Sequence, residues 1–209
     1  MLRRALAGPM SVLQGKVALV TGGGRGLGAA LVKAFAAEGA AVVAAARTRA
    51  DVAAVAYDVE SAGGRALAVA ADVRREDDAA ALVARTVKEL GRLDVVVNNA
   101  GAFVHAARFP RLDVAEWDEA FDTNLKAPWL VAKHAAPHMD ASGSIVNVTS
   151  GLAHVQYAPG APRTASVPYA PYSIAKAALE DLTRVLAARV RPRVRSLSLI
   201  HISEPTRPY

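Results

Sequence analysis

VTGGGRGLG, residues 20–28, decides how the rest of this chain is read. It follows a short apolar run, VALVT (17–21), and leads into a segment with helical spacing. A tight strand-to-helix turn needs residues without Cβ, both to reach positive φ and to let a phosphate approach the backbone. The N-terminus of the following helix then offers free N–H groups and a favourable dipole to a pyrophosphate. The glycines Gly22, Gly26 and Gly28 are spaced TGxxxGxG, and no strict GxGxxG passes through the segment. A P-loop is excluded, because Gly28 is followed by Ala29 and Ala30, not by Lys and Ser/Thr. Such a turn also serves purely structural ends, so its surroundings have to decide.

Outward from the turn, β-branched and Ala/Val runs alternate with helical patterns. Strands are expected at VALVT (17–21), AVVAAA (41–46), ALAVAAD (66–72), DVVVNNA (94–100) and SIVNVTS (144–150). Helices fill the gaps, most clearly EDDAAALVARTVKELG (76–91), which ends on a glycine suited to a C-cap. Strands apolar on both faces and separated by helices imply a parallel sheet covered on both sides. The expected fold is α/β, a Rossmann-like doubly wound parallel sheet flanked by helices, in one dinucleotide-binding domain over residues 11–195.

Composition narrows the function classes. The 209 residues are 53% hydrophobic, enough for one core, and no apolar run approaches the ~20 residues of a membrane span. Cysteine is absent, which removes disulfides and thiol chemistry and fits a cytoplasmic location. The net charge of +6 comes from scattered arginines, with no basic stripe and only 5% aromatics, which argues against nucleic acid. Part of that charge sits at the ends, in Arg3, Arg4 and Arg207. Residues 1–10 read as a leader outside the fold, with Met10 a possible start. Residues 196–209 lack periodicity and resemble a peptide appended by read-through of a sequencing adapter.

Three motifs in order resemble the short-chain dehydrogenase/reductase family: the TGxxxGxG turn, NNAG (98–101) after the fourth strand, and a Ser after the fifth strand followed by YxxxK. The likeness spans about residues 13–195. It implies an oxidoreductase that uses a nicotinamide dinucleotide. It also implies cofactor contacts from Gly22, Arg25, Gly26, Leu27 and Gly28 in the turn, and from Asp72 and Val73 on the adenine side. Asn99, Ala100 and Gly101 would form the ribose-side wall, with Asn98 structural. In the family such proteins are commonly dimers or tetramers.

Charge indicates which dinucleotide. About 20 residues beyond the turn, an acidic side chain would bind the ribose 2′-OH of NAD. This chain reads AARTR there, with Ala46, Arg47 and Thr48 and no carboxylate before Asp51. Arg25, Arg47 and Thr48 suit a 2′-phosphate, so NADP(H) is expected over NAD(H). The plain alternative leaves Arg47 and Arg49 merely solvated.

Hydride transfer between ketone and alcohol needs a protein group to move one proton. An isolated phenol, with a pKa of about 10, is poor at this near neutrality, and an ammonium nearby favours its ionised form. VPYAPYSIAK (167–176) offers Tyr169, Tyr172 and Lys176. Residues four apart share a helix face, so Tyr172 is the acid/base partnered by Lys176, and Tyr169 a wall of the pocket. Thr149 and Ser150 both offer a hydroxyl; the resemblance selects Ser150 to hold the substrate oxygen. It also selects Asn124, in FDTNLKAPWLVAKH, to hold a water between the lysine and solvent, a role that depends on a local helix distortion.

Ser150 and Tyr172 lie 22 residues apart, where the family has about a dozen, so an enlarged loop is expected over the pocket, with Tyr157, Arg163 and Tyr169 as candidate substrate contacts. The spacing of His105 and His154 suggests no metal site, His134 and His138 stand four apart on a helix but lack a third ligand nearby and read as surface, and Trp117 and Trp129 read as packing residues. RVRPRVR (189–195) reads as the approach to the family's next strand, after which the nicotinamide-side loop, the lid and the last strand are expected to be missing. Two readings stand: an NADP(H)-dependent ketone/alcohol oxidoreductase, or an inactive fragment that still binds dinucleotide.

Overall fold

A computed structural model describes residues 11–103, 112–154, 170–190 and 193–197, with only the backbone of His154 and of 193–197. It contains six strands: β1 (Val17–Thr21), β2 (Ala41–Ala46), β3 (Arg65–Ala70), β4 (Val95–Asn98), β5 (Ser144–Val148) and β6 (Arg193–Leu197). They form one sheet in the order β3-β2-β1-β4-β5-β6, and every neighbouring pair is parallel. The helices are α1 (Gly26–Ala37), α2 (Arg49–Ser61), α3 (Glu76–Leu90), α4 (Val114–Phe121), α5 (Ala127–Ala135) and α6 (Ala170–Arg189). The strand order reverses direction between β1 and β4, which opens a crevice at the carboxyl ends of those strands.

Alternation along each strand divides the core in two. Leu19, Val43, Val96 and Ile145 face one side, packed with Leu82 and Val83 of α3 and Leu130 and Val131 of α5. Ala18, Val20, Val42, Ala44 and Val97 face the other, against Val32 of α1 and Val52, Val55 and Val59 of α2. Each fully buried valine or leucine contributes about 1.5–3 kcal/mol relative to exposure. Glu76, Asp77, Arg85, Lys88 and Glu89 of α3 are exposed, Thr86 is buried with its hydroxyl on the Leu82 carbonyl at 2.8 Å, and Gly91 caps the helix with φ +83°, where the expected C-cap lies.

Two corrections follow. The strands expected over 66–72, 94–100 and 144–150 end earlier, at Ala70, Asn98 and Val148. Beyond those points the backbone leaves the ladder to build the crevice. The strand that RVRPRVR approaches is formed after α6, and it runs past the expected domain end at 195: Ser144–Val148 pairs in register with Arg193–Leu197, so Ser196 and Leu197, read as the start of an appended tail, belong to the sheet.

A buried polar chain ties β4, β5 and α6 together. Asn98 Nδ2 donates to Asn147 Oδ1 at 2.8 Å, and Asn147 Nδ2 donates to Thr183 Oγ1 at 2.9 Å. Thr183 in turn donates to the Leu179 carbonyl at 2.7 Å. Asn98 is thus structural, as its place in the motif implies.

Candidate active site

The glycine turn is shaped by contacts that exclude side chains. Gly22 has φ +65°, and a Cβ on Gly28 would stand 2.1 Å from the Gly22 carbonyl oxygen and 2.6 Å from Asn99 Nδ2. Asn99 locks the turn from behind: its Nδ2 donates to the Thr21 carbonyl at 3.0 Å, and the Asn99 and Ala100 N–H groups both donate to Thr21 Oγ1 at 3.1 Å. The turn therefore belongs to β4 as much as to β1. Arg25 is the N-cap of α1 and makes no side-chain cap bond, which leaves the first N–H groups of that helix without a side-chain acceptor.

A cleft of about 190 Å³ runs along the carboxyl ends of β1, β2, β3 and β4. Of the residues singled out in the sequence, Gly22, Arg25, Arg47, Thr48, Asp72, Val73, Ala100 and Gly101 line it. Gly26, Leu27, Gly28 and Asn99 do not: Leu27 is 44% exposed on α1, while Gly28 and Asn99 support the turn from within.

The cleft's charges are partly spoken for. Asp72 accepts from Arg74 Nε at 2.9 Å and from Arg74 Nη2 at 2.6 Å. The Arg74 guanidinium holds the Asp72 carboxyl below its ordinary range, against the opposing effect of burial. Arg25 Nε lies 3.1 Å from Asp51 Oδ2. Arg74 and the Asp51 contact escaped the sequence reading; an Asp and an Arg two apart after a strand was the available signal for the first. These residues fit an adenine dinucleotide, with an uncapped helix start, a glycine-walled cleft floor and arginines at its β2 end.

The residues expected to handle the proton gather at the β4–β5 side. Lys176, on α6, is only 3% exposed, and its Nζ donates to the Val148 carbonyl at 2.7 Å. The same Nζ lies 5.8 Å from the centroid of the Tyr172 ring. Burial pulls the Lys176 pKa from 10.5 down to about 8. Tyr172 is half-buried and meets Phe103 edge to face, with ring centroids 5.0 Å apart.

Asn124 is fully buried in a π-helical turn, Asp122–Lys126, between α4 and α5. That turn is the helix distortion expected at this position. The Asn124 Nδ2 donates to the carbonyls of Ala102 and Ala120, both at 2.9 Å, while Oδ1 has no partner among the described residues. A Cβ on Gly101 would stand 3.1 Å from Asn124 Oδ1 and 3.8 Å from Lys176 Nζ, so both atoms converge above that glycine. Ser150 is buried just past β5, and its Oγ accepts the Leu152 N–H at 3.2 Å. Thr149 Oγ1 beside it is buried without a partner among the described residues.

Tyr157, Arg163, Tyr169 and His105 lie outside the described residues, as does the side chain of His154. His134 Nε2 is 3.4 Å from Glu76, in the α3–α5 contact. Trp117 stacks on Phe121 with centroids 4.6 Å apart, and Lys133 covers Trp129 at 5.4 Å; both indoles remain partly exposed.

Residues 16–200 match the family model described as short chain dehydrogenase. An uncharacterized oxidoreductase of Methylorubrum extorquens is 40% identical over 185 residues, 88% of this chain and 71% of that protein. The cis-4-hydroxycyclohexanecarboxylate dehydrogenase of Sinomonas cyclohexanicum is 44% identical over 178 residues, 82% of this chain and 66% of that protein. Among solved structures, a 7α-hydroxysteroid dehydrogenase complexed with NADH and 7-oxo glycochenodeoxycholic acid superposes with a TM-score of 0.81 at 27% identity, covering 90% of this chain and 72% of that one. A blue fluorescent protein from a metagenomic library, in complex with NADPH, gives 0.79 at 32% identity, covering 88% and 73%.

Proposed function

This chain belongs to the short-chain dehydrogenase family, and from that premise we propose that it moves a hydride between NADP(H) and a ketone or secondary alcohol, with Tyr172 as acid/base. An NAD(P)-dependent oxidoreductase is what the family gives. The phosphorylated dinucleotide, the carbonyl substrate and the residue roles are our reading.

The convergence of Asn124 Oδ1 and Lys176 Nζ above Gly101, beside Tyr172, carries that reading. Bound nicotinamide supplies or accepts the hydride at the substrate carbon. In reduction, the substrate oxygen keeps the electron pair of the former carbonyl π bond and takes the phenolic proton of Tyr172. Ser150 Oγ already accepts the Leu152 N–H, which leaves its own hydrogen to donate to that oxygen and stabilise the developing negative charge. Lys176, held by the Val148 carbonyl, stabilises ionised Tyr172 and returns a proton to it. The unpartnered Asn124 Oδ1 offers an acceptor for a water that connects Lys176 to solvent.

Preference for NADP(H) is supported by the cleft wall at the end of β2. Ala46, Arg47 and Thr48 stand where NAD would want a carboxylate, and Arg47 has no ion-pair partner among the described residues. Solved relatives carry NADH in one case and NADPH in another, so the choice rests on these side chains. We further read the protein as cytoplasmic, from its lack of cysteine, and as a homo-oligomer, from the exposed Val114, Trp117 and Trp129 on α4 and α5.

The test is turnover of a ketone panel with NADPH and with NADH. NADPH oxidation at a KM at least tenfold below that for NADH is expected. Equal use of the two overturns the arginine argument. Retained cofactor binding without any turnover favours the alternative, a dinucleotide-binding fragment.

A further inference from the structure

We propose that Asp51 sets how strongly the β2 end of the cleft holds a ribose 2′-phosphate, by neutralising Arg25; the proposal rests on the dinucleotide reading above. Five charged side chains line this part of the cleft: Arg25, Arg47, Asp51, Asp72 and Arg74. Asp72 and Arg74 close on each other at 2.6 Å, and Asp51 Oδ2 takes Arg25 Nε at 3.1 Å. Of three guanidiniums, Arg47 alone is left without an ion pair among the described residues.

The two partners in the Arg25–Asp51 pair are held unequally. The Asp51 side chain is 27% exposed and that of Arg25 is 82% exposed. Asp51 sits in the first turn of α2, where a negative charge complements the helix dipole. Its Cβ abuts the glycine turn, 2.8 Å from where a Cβ on Gly24 would stand. Asp51 is therefore the fixed member, and Arg25 the one that swings. A 2′-phosphate entering here has to take Arg25 from a carboxylate that itself repels the phosphate. A plain ribose meets no such repulsion. Asp51 thus narrows the gap between the two dinucleotides, against the bias of Arg47 and Thr48.

Asp51→Asn keeps the Cβ contact with Gly24 and removes the charge. The measurement is calorimetric titration of the full chain and the variant with adenosine 2′,5′-bisphosphate and with 5′-AMP, which differ only in the 2′-phosphate. A partly exposed ion pair of this kind predicts an affinity for the bisphosphate about fivefold higher in the variant, with 5′-AMP within about twofold. If the unsubstituted chain prefers the bisphosphate and the variant gains nothing, Asp51 has no such role and the NADP(H) reading stands. If the unsubstituted chain shows no preference but the variant acquires one, the NADP(H) reading falls and the role of Asp51 stands. No preference in either protein overturns both.

Discussion

Lys176 Nζ donates to the backbone carbonyl of Val148 at 2.7 Å, and this bond joins α6 to the strand that leads into Ser150. It also holds an amine where water hardly reaches. Burial lowers the Lys176 pKa from 10.5 to about 8, so at neutral pH the folded protein carries a poorly solvated ammonium while the unfolded chain carries a solvated one. Between pH 8 and 10.5 the unfolded chain binds more protons than the folded one, and stability attributable to this group rises with pH. Lys176→Met removes the effect. The difference in unfolding free energy, variant minus unsubstituted protein, should fall by about 2 kcal/mol between pH 7 and 9.5. Urea melts at both pH values measure it, and a difference that stays flat rejects burial as the cause.

Tyr172→Phe keeps the ring against Phe103 and removes only the hydroxyl. Turnover should fall by about two to four orders of magnitude, the range for a positioned proton donor, while dinucleotide affinity stays within about twofold. A variant as active as its parent would end the acid/base assignment.

Much of this site was legible in the sequence because its chemistry is local. The TGxxxGxG turn, Tyr172 with Lys176 four residues on, and the absence of a carboxylate at Ala46–Thr48 each read within one short segment. The first two strands have the bounds the pattern predicts, Val17–Thr21 and Ala41–Ala46. The other three were read too long because their apolar or β-branched runs continue past the ladder, where local bonds take over: Asn99 Nδ2 donates to the Thr21 carbonyl, Ser150 Oγ accepts the Leu152 N–H, and Asp78 accepts the Asp72 N–H. The Asn147–Thr183 bond and the Arg25–Asp51 pair join residues 36 and 26 positions apart, and no periodicity announces them.

Gly28 tests the seam between the turn and β4. Any side chain there would strike the Gly22 carbonyl and Asn99 Nδ2, and Asn99 Nδ2 cannot retreat without breaking its bond to the Thr21 carbonyl. Gly28→Ala should cost about 2–3 kcal/mol, the scale of overpacking in a tight site, and weaken dinucleotide binding in parallel. An unchanged urea midpoint would show that the turn relaxes freely.

At the opposite end of the sheet, Asp94 gathers the starts of β1 and β4. Its carboxylate accepts from the Val17 N–H at 2.9 Å, Lys16 Nζ at 3.2 Å and Arg92 Nε at 2.7 Å, with 5% of the side chain exposed. Burial alone would raise its pKa, but the bonds from Arg92, Val17 and Lys16 outweigh it and hold the group below the ordinary carboxylate value of 3.8. A depressed folded pKa contributes stability that is fully present above about pH 4 and lost as the pH falls through the lowered value. Asp94→Asn keeps one acceptor and loses the charge that Val17, Lys16 and Arg92 share. It should therefore lower stability at pH 7 by about 2 kcal/mol, the scale of a hydrogen bond to a charged group. Because the asparagine does not titrate, the gap between the two proteins should close on acidification below pH 4. Urea unfolding followed by circular dichroism at pH 7, 4 and 3 reads both effects, and a gap that persists unchanged at pH 3 would place the stabilisation in packing and not in the charge.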